Sequence, residues 1–78
     1  WLNITFVAAQ AKALEQRLAR EAGTDTAKRI HRAYELLYGR PPDAEELKLG
    51  VEYVTAGGIA WQQYLQALFG SGEFTSVN

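Results

Sequence analysis

The sequence has no cysteine and a single histidine, His31. Without cysteine there is no disulfide framework, no thiolate nucleophile and no cysteine-based zinc site. A lone histidine leaves no histidine pair for a metal. No apolar run approaches the ~20 residues that cross a bilayer, so no membrane span is expected. Ser-His-acid spacings, phosphate loops and calcium loops are also missing, since Gly57-Gly58 lacks the Lys and Ser or Thr that a phosphate loop needs. Strand signals are absent too: nothing alternates with period two, and no Asn-Gly or Asp-Gly hairpin turn occurs. There is no internal repeat and no low-complexity stretch. No catalytic, cofactor-binding or metal-ligating residue is therefore assigned, no cofactor is expected, and the chain is read as not being an enzyme.

What is present is enough for one domain of 78 residues, 47% hydrophobic and 22% charged, the composition of a globular chain. A chain this short buries only about 60% of its unfolded surface. Nine aromatic residues offset that: Trp1, Phe6, Tyr34, Tyr38, Tyr53, Trp61, Tyr64, Phe69 and Phe74. Each can bury roughly 150–250 Å², and most are expected in the core. The alternative is that some face a neighbouring domain. Because the sequence begins at Trp1, residues 1–78 are expected to be a single helical module of a longer protein.

The periodicity predicts an all-α, compact four-helix domain with short links and some orthogonal packing. The first helix spans about Phe6 to Ala22, with Val7, Ala11, Leu14 and Leu18 on one stripe. Asn3 or Thr5 is its candidate cap, Gly23 its end, and one of Trp1, Leu2 and Ile4 a candidate staple on the first turn. The second starts at Thr24 or Asp25 and runs to Tyr38, stopped by Gly39, Pro41 and Pro42. The third opens with Asp43, and Glu46 three residues on completes a capping box. It carries Leu47, Val51 and Val54 inward and ends at Gly57-Gly58. The fourth runs from Ile59 or Ala60 to Phe69, followed by a turn at 72–74 and a frayed end at 75–78.

Two charge clusters are candidates for function. Asp43, Glu45 and Glu46 crowd one helix start, where capping and the helix dipole account for them better than acid/base chemistry does. Lys28, Arg29 and Arg32 surround His31 on the second helix and are alternative phosphate contacts. Residues 1–39 carry a net +2 and residues 40–78 a net −3. The sequence pI of about 5.7 argues against nucleic acid as the partner. The second helix also lacks an obvious base-reading Asn or Gln.

Three stretches carry a family resemblance: Asn3–Leu18, Arg29–Leu47 with its G-R-P-P-x-x-x-E-L run at Gly39–Leu47, and Ala60–Asn78 with Ser71-Gly72-Glu73-Phe74. In this order they resemble the C-terminal end of a domain of unknown function in large secreted proteins of planctomycetes and related soil bacteria. Those proteins often also carry cytochrome c-like or carbohydrate-binding-like modules. Thr5 stands where the family tends to have Pro, and Gly70-Ser71-Gly72 where it tends to have Asn-Ser-Asn. A looser resemblance is to a bacterial extracellular all-helical repeat domain with a Gly-Arg…Ser-x-Glu-Phe layout. Both resemblances imply an all-α fold and an extracytoplasmic setting, periplasmic, cell-surface or secreted. Neither implies a catalytic residue.

Arg40 and Glu73 are polar residues inside otherwise apolar shared motifs, one after the second helix and one after the fourth. If those helix ends meet, the two would form a bidentate ion pair and Phe74 would plug the core beneath. The expected role is a non-catalytic interaction or structural module of a secreted bacterial protein. Its partners would be other domains of the same protein or another protein. The alternatives are a nucleic-acid binder using Lys28, Arg29 and Arg32, and a fragment that lends Arg40 or Glu73 to an enzyme site completed elsewhere.

Overall fold

A computed structural model describes residues 4–71 and residue 73. It contains four helices: α1 (Ile4–Ala22), α2 (Thr26–Tyr38), α3 (Ala44–Val54) and α4 (Ala60–Phe69). The described residues include no strand. The chain is an all-α four-helix domain, as the periodicity predicts.

The caps fix where the helices begin. Asp25, not Thr24, caps α2: its side chain accepts from the backbone N–H of Lys28 at 3.0 Å. Asp43 accepts from the Glu46 N–H at 2.8 Å, and Glu46 accepts from the Asp43 N–H at 2.9 Å, closing the expected capping box. Gly39 ends α2 with φ +72°, a left-handed conformation that costs a residue with a Cβ about 1–2 kcal/mol. Its N–H reaches back to the Glu35 carbonyl at 3.0 Å.

Two boundaries differ from the sequence reading. α1 already includes Ile4 and Thr5, so Thr5 is helical and not its cap. The candidate cap Asn3, the staple residues Trp1 and Leu2, Gly72 and Phe74 of the last turn, and 75–78 lie outside the described residues. Ile4, the third staple candidate, belongs to the helix and is 82% exposed. α3 stops at Val54, before Gly57-Gly58, because Thr55 and Ala56 already form a turn through Ala56 N–H to Tyr53 C=O at 3.3 Å.

Each helix contributes its apolar stripe to one core. Ala11, Leu14 and Leu18 come from α1, Ile30, Ala33 and Tyr34 from α2, Val54 from α3, and Tyr64, Leu65 and Leu68 from α4. Leu18, Ile30 and Leu65 are fully buried, each contributing roughly 1.5–3 kcal/mol of transfer free energy. α1 packs on α4 and α2, and α3 packs on α2 and α4, while α1 and α3 do not touch. That arrangement leaves α1 and α3 on opposite sides of the molecule.

The aromatic residues divide. Tyr34 and Tyr64 are buried, and Tyr38, Trp61 and Phe69 pack half-buried against the core. Phe6 and Tyr53 are exposed. The Tyr64 hydroxyl is buried with no well-formed hydrogen bond among the described residues, and it lies against Gly50 of α3. A Cβ on Gly50 would fall 2.5 Å from that oxygen and 3.0 Å from Ile30 Cδ1. Glycine at 50 therefore lets α3 approach α2 and α4 closely.

Candidate functional site

The left-handed turn at Gly39 puts Arg40 at the mouth between α2 and the start of α3. Its guanidinium meets two carboxylates. Nε and Nη2 donate to Glu73 Oε2 and Oε1 at 2.8 and 2.7 Å. Nη1 and Nη2 donate to Glu46 Oε1 and Oε2, both at 2.9 Å. Nη1 also donates to the Pro41 carbonyl at 2.9 Å. A guanidinium has five N–H donors, and these five bonds occupy all of them. The structure thus brings Arg40 and Glu73 into the bidentate pair expected of them and adds Glu46 as a second partner.

The cluster is anchored from below. The Arg40 guanidinium carbon lies 5.4 Å from the Tyr34 ring centre and 5.8 Å from that of Tyr38, within cation–π range. The two rings meet edge to face at 5.0 Å. The Tyr38 hydroxyl contacts the Leu68 carbonyl at 2.8 Å and Ser71 Oγ at 2.9 Å, which ties the end of α4 to the end of α2. Glu73 follows immediately on that tie.

The electrostatics follow from these contacts. Hydrogen bonds from Arg40, then from the Asp43 backbone, lower the Glu46 carboxyl from an ordinary 4.5 to about 2. Arg40 also holds Glu73 below the ordinary carboxylate range. The two carboxylates in turn raise the guanidinium further. Burial pushes the Tyr34, Tyr38 and Tyr64 hydroxyls up. All these shifts favour one fixed charge state, so the cluster is poor as a proton donor or acceptor near neutral pH.

The alternative phosphate contacts stand elsewhere, on α2. Arg29 donates to the Gly23 carbonyl at 2.6 Å and lies 5.7 Å from the Trp61 ring centre. Arg32 bonds Glu21 at 2.7 Å and Glu35 at 3.5 Å, and Glu21 also holds Arg17 at 2.6 Å. Those arginines lower the Glu21 carboxyl. Lys28 and Arg32 do share a shallow depression with His31, of about 330 Å³, but Glu21, Asp25 and Glu35 line it as well. Alternating charge of this kind suits a solvated helix face better than a polyanion track. Among the described residues, no group of His, Asp and Glu is placed to hold a metal ion.

Sequence reasoning missed three contributors. Glu46 was accounted for by the capping box alone, although one carboxylate can cap with one lone pair and hold an arginine with the others. Tyr34 and Tyr38 read as core rings, with no hint of a cation above them. The Arg29–Trp61 contact joins residues far apart in sequence and left no signal at all. Comparison with family models, with curated proteins and with solved structures gives no match.

Proposed function

We propose that this chain is a non-catalytic helical docking module. The observation that carries the reading is the division of its surface. Its best-built polar cluster has no donor left on Arg40, while Leu49 and Tyr53 stand 55% and 49% exposed one turn apart on the outer face of α3. Scattered exposed apolar residues are ordinary. A pair at helical spacing, flanked by Glu45, Lys48 and Glu52 on the same face, is the pattern of a helix that another surface receives. On the resemblance to secreted planctomycete domains, the module would belong to an extracytoplasmic bacterial protein, with another domain of the same protein or a separate one as its partner. Arg40 and Glu73 are architectural in this reading, which leaves little for an enzyme site to borrow. Arg29 and Arg32, engaged by a carbonyl and by acids, lend little to a nucleic-acid reading.

The test is site-specific photocrosslinking from position 53 in the protein as the cell makes it, with position 63 on the polar side of α4 as control. A discrete product from position 53 and none from 63 is expected. No product from 53, or equal products from both, overturns the docking reading.

A further inference from the structure

We draw no further inference here: the strongest candidate, the apolar cavity of about 250 Å³ that Ile4 and Val7 at the start of α1 form with Gln66 and Gly70 at the end of α4, is an unpartnered apolar surface, and nothing in the structure shows what covers it.

Discussion

Two ion clusters flank α2 and use the same groups in opposite proportions. At one, a single arginine, Arg40, lies between two carboxylates; at the other, a single carboxylate, Glu21, lies between two arginines. Distances alone do not separate them, since the shortest contacts are 2.7 and 2.6 Å. What separates them is preparation. Glu46 is already oriented by the cap of α3, Arg40 rests on two rings, and the Arg40–Glu73 pair joins residues 33 apart in sequence. Glu21 reaches only four residues back and 11 forward, with no cap or ring to orient it, at a side-chain exposure close to that of the Arg40 cluster. Exposed single pairs contribute little because they must order two long side chains. Where packing and capping have already ordered the groups, less of that entropy opposes the pair. The Arg40 cluster should therefore behave as architecture and the Glu21 cluster as surface.

Glycines near each cluster give the largest expected contrast. Gly50 follows Glu46 by one turn and is glycine for lack of room, whereas Gly23 beside Arg29 has φ +67° and nothing within 4 Å of an added Cβ. Gly50→Ala is expected to destabilise the chain by about 2 kcal/mol, the cost of overpacking set against a gain in helix propensity. Gly23→Ala is expected to cost about 1 kcal/mol, from backbone strain alone. Tyr64→Phe removes the oxygen nearest the new Cβ and a buried hydroxyl with no well-formed hydrogen bond among the described residues. It should therefore recover about half of the Gly50→Ala loss, and none of the Gly23→Ala loss. Urea melts of the three single variants and of the two doubles with Tyr64→Phe measure this, and equal costs at 50 and 23 would break the distinction between the two regions.

Most of the helical plan was legible because it rests on local rules. Asp25 and Asp43 cap where their side chains reach the next turn, Gly39 and Pro41-Pro42 stop α2, and the apolar stripes point where the 3.6-residue period sends them. Pairing Arg40 with Glu73 needed one further step, that two helix ends meet. The rest depended on close approach in three dimensions. Nothing in the spacing of Gly50 says that Tyr64 fills the missing side chain's place. Nothing in the spacing of Tyr53 on α3 or of Tyr64 on α4 says that the two rings meet at 6.0 Å with one exposed and the other buried. The end of α3 was misplaced because Gly57-Gly58 is the stronger sequence signal, while the turn at Thr55 and Ala56 is set by backbone bonds that any residues can make.

A smaller effect sharpens the comparison between the arginines themselves. Lysine preserves the charge but cannot span two carboxylates with a planar fork. Arg40→Lys is expected to lower the thermal midpoint by about 5 °C or more, and Arg32→Lys by less than about 2 °C. Amide exchange adds a local readout, since loss of the Arg40 fork should raise exchange near Leu68 to Ser71, where Tyr38 holds the end of α4. Equal shifts in the two melts would mean that preparation by caps and rings counts for nothing here.

The smallest effect lies in acid and tells the clusters apart by proton linkage. In the folded chain Glu46 titrates at about 2 against an ordinary 4.5, and Glu73 and Glu21 are lowered as well. A carboxyl with a depressed folded pKa binds its proton more readily when unfolded. Its contribution is fully present above the unfolded value and is lost as pH falls toward the folded one. These groups should leave the urea midpoint level above about pH 5 and reduce it progressively from about 4.5 to 2. Glu46→Gln removes the most depressed of the three, and should flatten that acid limb while lowering stability at pH 7 by about 1 kcal/mol through the weakened cap. Glu21→Gln should leave most of the limb in place, because Glu21 has its arginines but not the backbone N–H that the cap gives Glu46. Equal flattening by the two variants would mean that Glu46 gains nothing from its cap and its fork, and that the clusters differ in composition only.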